Sequence, residues 1–377
     1  MHGITEYLGS VVNIFCVFLT EIPLLKVIMS NQQQKAIVNL APKVAELVTD
    51  RPIPKLRDDY ILVETKAVAV NPTDWKHIDF LSSPGALVGC DYAGVVKEVG
   101  KAVTIPFKKG DRICGFVHGS NSVQHEDGTF AEYIVAKGDL QLHIPDQLSF
   151  EEAATLGVGV ATVGQGLYQA LGLPLPDQPS KDEIPILIYG GSSAMGLMGV
   201  QFAKLSGYVP IATCSPHNFD LVKRFGAAAV FDYKDSESVA KIRQYTNDNL
   251  TLAWDTISSE SSAKFCADVL SSGAMYAALG NVKAPRDDVK SLFTMAYTIV
   301  GEPYKMASVA VPAIPENYDF GKRWTRLVEH LLRTGNIKIL PPTIGKDGLK
   351  GVLEGLELLR ENKVSGGKLV YRVAETP

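Results

Sequence analysis

"LIYGGSSAMGLMG", Leu187–Gly199, is an apolar run that breaks into small residues and then takes up a helix-like pattern. A strand that turns tightly into a helix leaves free backbone N–H groups at the positive helix end, and such a junction suits a bound pyrophosphate. Gly190, Gly191 and Gly196 answer the need for a tight turn and close approach. Ser192 and Ser193 stand where glycine is often found, and each adds a small hydroxyl able to donate to phosphate oxygen. A glycine-rich turn alone is weak evidence for a dinucleotide, so its surroundings decide.

Those surroundings alternate. From Ile184 to Gly301 the chain reads strand "IPILIYG", helix Met195–Leu205, strand "VPIATC", helix Asn218–Phe225, strand "AAVFDY", helix "ESVAKIRQYT", strand "TLAWDTI", helix "SSAKFCADVL", strand "AMYAAL". Elements of these lengths in this order predict a doubly wound parallel sheet covered by helices on both faces. Gln34 to about Phe150 reads differently. "KAIVNL", "YILVETKAVAV", "CDYAGVVKEVG", "RICGFV" and "AEYIVA" are short, β-branched and punctuated by Pro, Gly and Asp, which predicts a barrel-like β domain with no helix inside it. Ser149, with Glu152 three residues on, predicts the cap of a helix that leaves this domain. The tail offers amphipathic helices in "GKRWTRLVEHLLRTG" and "GLKGVLEGLELLRENK" and a last strand, "GKLVYRVA", expected to pair back into the β domain.

The second strand of the alternating region ends in "SPHNFD" and not in an acid. An Asp or Glu there would accept from ribose hydroxyls and repel a 2′-phosphate. Ser215, His217 and Asn218 would instead donate to that phosphate, with Lys223 or Arg224 adding charge, so NADPH is expected over NADH. The alternative is that "SPHN" only caps the next helix.

Bulk properties narrow the classes. A chain of 377 residues points to two domains. With 37 Lys+Arg against 41 Asp+Glu there is no cationic excess to hold a nucleic acid backbone. Cys16, Cys90, Cys114, Cys214 and Cys266 are scattered singly, as reduced core thiols of a cytoplasmic protein would be. No C-x-x-C occurs, and Cys90, His118 and His125 do not form a zinc-ligand pattern, so no metal is expected. The apolar stretch "VVNIFCVFLTEIPLLKVIM" is broken by Glu21, Pro23 and Lys26, which argues against a membrane span. Met29 directly precedes "SNQQQKAIVNLAP", and residues 1–28 are expected to be a spurious upstream translation or a disordered leader, with the fold beginning near Gln34.

The succession "NPTDWK", "GCDYAGVVKEVG", "GDRICGF", "GTFAEYIVAK", "SFEEAATLG", "LGLPLP", "LIYGGSSAMG", "IATCSPHNFDLVK" and "GAAAVFDY" resembles the medium-chain dehydrogenase/reductase superfamily. Within it, the chain is similar to fungal trans-acting enoyl reductases of polyketide biosynthesis, from about Gln34 to Val373. The resemblance implies an α/β protein: a GroES-like β-rich catalytic domain over 29–165 and 316–377, and a Rossmann NADPH-binding domain over 166–315. It implies a zinc-independent hydride transfer from NADPH to the β-carbon of an unsaturated thioester. The thioester would be carried by the acyl carrier domain of a partner polyketide synthase or polyketide synthase-peptide synthetase hybrid, and the protein itself would be a monomer or weak oligomer.

By motif, the resemblance places Thr73, Asp74, Trp75 and Lys76 near the nicotinamide. Ser192, Ser193, Ala194, Met195, Gly196, Leu197, Met198 and Gly199 would lie near the pyrophosphate, and Ser215, Pro216, His217 and Asn218 near the 2′-phosphate. Tyr233 would stack near adenine, and Leu279 with Gly280 would border the nicotinamide. Thr162 falls near the reacting centre and Val163 would contact the substrate, in a segment slightly longer here than the family pattern. Tyr297, Thr298, Ile299, Val300 and Gly301 would line the acyl pocket. Charge developing on the thioester oxygen needs donors, and Lys76 and Thr162 are the candidates. Each has a plainer reading: Lys76 as a solvated loop charge, Thr162 as a helix-interior residue bonded to its own backbone, Tyr233 as a strand-end aromatic. His143 and His330 read as structural or solvent-facing. Two rival functions fit the same fold, a free-standing quinone or enone reductase and a non-catalytic NADPH-binding protein.

Overall fold

In the computed structural model, which describes residues 32–377, six parallel strands form one sheet. Their spatial order is Ala229–Phe231, Val209–Thr213, Pro185–Tyr189, Leu252–Asp255, Met275–Ala278, Lys290–Phe293. The chain steps outward from Pro185–Tyr189 in one direction and then restarts on its other side, so a crevice opens at the reversal, beyond the carboxyl end of that first strand. Continuous apolarity in Pro185–Tyr189 follows from burial on both faces. Ile186 and Ile188 pack with Leu197 and Val200 on one side, Leu187 and Tyr189 with Ala263 and Cys266 on the other. The expected order of strands and helices is found throughout this region, with helices at Ala194–Leu205, Phe219–Arg224, Ser238–Tyr245 and Glu260–Val269.

The second sheet has seven strands. Six run in the order Pro342–Ile344, Lys368–Arg372, Tyr60–Ala69, Asp91–Val99, Arg112–Phe116, Leu142–His143, and Tyr133–Lys137 pairs with Tyr60–Ala69. The last strand does return, antiparallel to Tyr60–Ala69 with Val370 opposite Ala69. An N-terminal hairpin, Gln33–Ala41 with Val44–Pro52, accompanies it.

One expectation fails here. A helix, Pro72–Phe80, does interrupt the β region. Its signals are local and not periodic: Pro72 sits at the first helical position, and the Asp74 carboxylate accepts the Asn71 N–H at 2.7 Å, half of a capping box. A nine-residue helix with so little amphipathic pattern reads as a turn in sequence.

The connection between the sheets begins as expected. Ser149 accepts from Glu152 N–H, capping Phe150–Ala153. The chain continues as Gly157–Val163 and then as a π-helix, Gly164–Ala170. A π-helix takes up an extra residue without breaking the helical run. Gly164 allows Trp324 of helix Pro315–Arg333 to approach; a Cβ there would lie 2.5 Å from Trp324 Nε1, which donates to Val160 O at 2.8 Å. Cys90, Cys114, Cys214 and Cys266 are buried free thiols. Cys16 and the segment 1–28 lie outside the described residues.

Candidate functional site

A cleft of about 720 Å³ opens between the two sheets, at the crevice of the parallel one. On the parallel-sheet side its wall is the loop that follows Pro185–Tyr189. Gly190 has φ +77°, a left-handed turn, and a Cβ there would meet Thr256 Oγ1 at 2.7 Å. Gly196 passes so close to Gly190 that a Cβ would lie 2.2 Å from its carbonyl oxygen. Gly191 packs on Ala212 behind the turn.

The two serines divide their duties. Thr256 Oγ1 donates to Tyr189 O at 2.8 Å and so accepts from Ser193 Oγ at 2.9 Å; Ser193 Oγ in turn accepts the Gly196 N–H at 2.9 Å. Ser193 is therefore committed as the N-cap, and it is Ser192 whose hydroxyl borders the cleft uncommitted among the described residues. First-turn N–H groups have no intrahelical acceptor. Ala194 and Met195, in that first turn, border the cleft together with Ser192, a donor set that fits a pyrophosphate. Leu197, Met198 and Gly199 do not reach the cleft. Leu197 and Met198 are buried in the core, and Gly199 lets the helix close on Trp254, whose Cζ3 a Cβ would meet at 2.4 Å.

Ser215 and Tyr233 border the cleft, and so does Leu279; Gly280 lies just behind, its N–H on Ser258 Oγ at 3.0 Å. Pro216–Asn218 form one 3₁₀ turn away from the wall. Asn218 Nδ2 donates to Ser365 Oγ at 3.0 Å, and its side chain does not cap the helix that follows. Lys223 and Arg224 sit in the next helix and do not border the cleft.

The facing wall comes from the β-rich part. Thr73, Trp75 and Lys76 border the cleft, with Lys76 Nζ 5.8 Å from the Trp75 ring. Asp74 turns inward, against its expected place near the cofactor. Burial pushes its carboxyl up to about 7, the Asn71 N–H opposing, and its second oxygen has no partner among the described residues. An acid whose folded pKa lies above its unfolded value loses stability as pH rises between the two. Asp74→Asn is thus expected to gain melting temperature over the parent progressively from pH 4.5 to pH 7.5. Paired thermal melts across that range check it; a constant difference would contradict the buried acid.

Thr162 borders the cleft and makes no side-chain hydrogen bond among the described residues, so it is not bonded back to its own helix. Val163, one position on, is fully buried in the core, contrary to its expected contact with substrate. Of the turn Tyr297–Gly301 only Tyr297 reaches the cleft. Thr298 Oγ1 points away, accepting from Gln165 Nε2 at 2.8 Å and Asn317 Nδ2 at 2.7 Å. Ile299 and Val300 join an interior cluster with Leu140, and Gly301, φ +72°, ends the turn against Tyr318.

Reading the sequence missed the floor. Asn71, Gly366, Gly367 and Lys368 border the cleft where the last strand returns. Lys368 pairs with Asp91, buried at 4 % and 0 % side-chain exposure. The glycine pair before a strand was the available signal, since Gly366 adopts φ +72°. His143 proves structural, Glu329 accepting both its N–H at 2.8 Å and its Nδ1 at 3.1 Å, and His330 is exposed.

A crevice-lining dinucleotide loop facing a β-rich wall across one cleft defines a two-domain, nicotinamide-dependent oxidoreductase. Residues 57–146 match the alcohol dehydrogenase GroES-like domain family, and 194–318 match the zinc-binding dehydrogenase family. The chain is 54% identical to trans-enoyl reductase resD of Aspergillus sclerotiorum over 90% of its length and 100% of that protein. It is 56% identical to trans-enoyl reductase TOXD of Cochliobolus carbonum, covering 77% and 98%. Its fold is similar to that of a quinone oxidoreductase from Pseudomonas syringae pv. Tomato DC3000, with TM-score 0.70 at 21% identity, covering 90% and 100%. The chain belongs to the fungal trans-enoyl reductase family of the medium-chain dehydrogenase/reductase superfamily.

Zinc, which one matched family's description implies, is not accommodated by the residues present. Among the described residues no three His, Cys, Asp or Glu side chains converge to hold an ion.

Proposed function

We propose that the protein is a trans-acting enoyl reductase that reduces, with NADPH, the α,β-double bond of a polyketide thioester presented by the acyl carrier domain of a partner synthase. Secondary metabolism in the cytoplasm is its setting. The observation that carries this reading is the cleft itself, with free N–H groups and Ser192 on one wall and Lys76, Thr162 and Tyr297 on the other. Bound reduced nicotinamide would supply a hydride to the β-carbon. The chain's part is to place that carbon, worth several orders of magnitude in rate, and to meet the charge that grows on the thioester oxygen. Lys76 and Thr162, both with polar groups on the substrate wall, serve that second need. A conjugated thioester carbonyl is already an electron sink, so the reaction asks for donors and not for a Lewis acid.

Among the described residues no helix is long and apolar enough to cross a membrane. NADPH is favoured because strand Val209–Thr213 leads to Ser215 on the cleft wall and not to an acid. Oxidation of NADPH by crotonyl-pantetheine, measured beside simple quinones and enones, tests the reading. Turnover is expected with the thioester and at least about tenfold less kcat/KM with quinones, roughly 1.4 kcal/mol of preferential transition-state binding. The reverse preference would make the protein a free-standing quinone reductase, and binding without turnover of any acceptor would make it a non-catalytic coenzyme-binding protein.

A further inference from the structure

Reduction of a carbon–carbon double bond needs a proton as well as a hydride, and Tyr297 stands where one could be delivered. Its ring is held on three sides by Thr73, His77 and His118. His118 stacks on it at 3.9 Å between centroids and 20° between planes, and Tyr304 meets its edge at 5.9 Å. The hydroxyl touches Thr73 Oγ1 and lies 3.5 Å from His77 Nδ1.

Hydrogen-bond direction can be worked out along this chain. His77 Nδ1 is 2.9 Å from the Thr73 carbonyl oxygen, which can only accept, so Nδ1 carries a hydrogen. The same N–H is 3.2 Å from Thr73 Oγ1, which leaves the threonine hydroxyl its own hydrogen to give to the neighbouring oxygen, that of Tyr297. With Thr73 as the donor, Tyr297 accepts. Its own hydrogen is left over, and the open direction is the cleft that both Thr73 and Tyr297 border.

We propose that Tyr297 gives the α-carbon its proton in enoyl reduction, with Thr73 and His77 as positioning residues that aim its hydroxyl; this rests on the enoyl reductase reading above. Hydride adds to the β-carbon, the pair of the double bond moves to the thioester oxygen, and an enolate forms. As the carbonyl reforms, the pair returns through the α-carbon, which bonds to the hydrogen of Tyr297 while the O–H bond breaks. The phenolate left behind accepts from Thr73 and regains its proton from solvent water once product leaves. Substrate carbon is reduced, nicotinamide is oxidised, and one hydride and one proton have been added. Burial keeps the phenol in its protonated form until it is used. A fixed donor on one wall also fixes the face of the α-carbon that is protonated, which solvent would not.

The experiment uses the full chain, NADPH and 2-methylbut-2-enoyl-pantetheine in D2O. The parent should give a single configuration at the deuterated α-carbon. Tyr297→Phe keeps the stack on His118 and should lower kcat by about 100-fold, the usual scale of general acid catalysis, with NADPH affinity retained and both α-configurations in the residual product. Thr73→Val should lower kcat by about tenfold while keeping one configuration, because it disturbs the aim and not the donor; this variant carries the test if Tyr297→Phe does not fold. Unchanged kcat and one configuration in Tyr297→Phe, or unchanged kcat in Thr73→Val, would overturn the assignment. A parent that never oxidises NADPH with the thioester would overturn the enoyl reductase reading itself, before any variant is made.

Discussion

Lys368→Met lowers the stability of the folded chain by about 3–5 kcal/mol, the cost of breaking a fully buried ion pair from one side. Asp91 is wholly buried, and its carboxylate accepts from three directions: Lys368 Nζ, Asn71 Nδ2 at 2.9 Å and the Val158 N–H at 2.5 Å. Lys368 Nζ also reaches Thr155 O at 3.4 Å. Methionine fills much the same volume, so packing is kept while a charge is left in the interior with two neutral donors. Asp91→Asn added to Lys368→Met should recover a large part of the loss, because the amide oxygen still accepts and no net charge remains. Urea unfolding midpoints for the parent, the single and the double variant measure this. A single variant within about 1 kcal/mol of the parent would mean that the pair does not hold the fold together.

The consequence reaches the cleft. Asn71 precedes the helix that carries Thr73 and Lys76, and Val158 opens the helix that carries Thr162. Asp91 thereby ties both helices of this cleft wall to the returning strand Lys368–Arg372. A charge network of this kind specifies geometry that apolar contacts alone would leave free to slide, and the residues facing the cofactor loop are set by it.

What could be read in the sequence followed from local rules. The loop Gly190–Gly196 declares itself because a tight turn, a cap and a close approach each restrict the residue type at one position. The parallel sheet declares itself because strands buried on both faces are apolar without alternation. The choice of cleft-facing side chains within a motif is a different matter. Thr162 and Val163 are adjacent, yet one borders the cleft and the other the core, since helix phase relative to a distant wall separates them. Tyr297 and Thr298 divide in the same way. Lys368 lies 277 residues from Asp91 along the chain, a pairing that only the return of the last strand creates. Helix Pro72–Phe80 escaped notice because capping chemistry and not periodicity specifies it, and Asp74 is spent on that cap.

Ser215→Asp is expected to weaken NADPH by about 100-fold while leaving NADH equal or tighter. The serine follows strand Val209–Thr213, borders the cleft, and its side chain makes no cap bond to the 3₁₀ turn that begins there. A carboxylate at that place can accept from ribose hydroxyls, as acids do after the second strand of such sheets, and it stands against the doubly charged 2′-phosphate of NADPH. Two such repulsions at about 5 Å, partly screened by solvent, amount to roughly 2–3 kcal/mol. Asn218→Ala separates this effect from damage to the loop. Its amide holds Ser365 beside the Gly366–Gly367 turn, so its loss should act on the cleft floor and weaken both coenzymes alike. Titration calorimetry with each coenzyme gives the four affinities needed. If Ser215→Asp instead weakens NADH and NADPH by the same factor, the residue shapes the loop and does not face the phosphate, and the preference for NADPH must come from elsewhere on the wall.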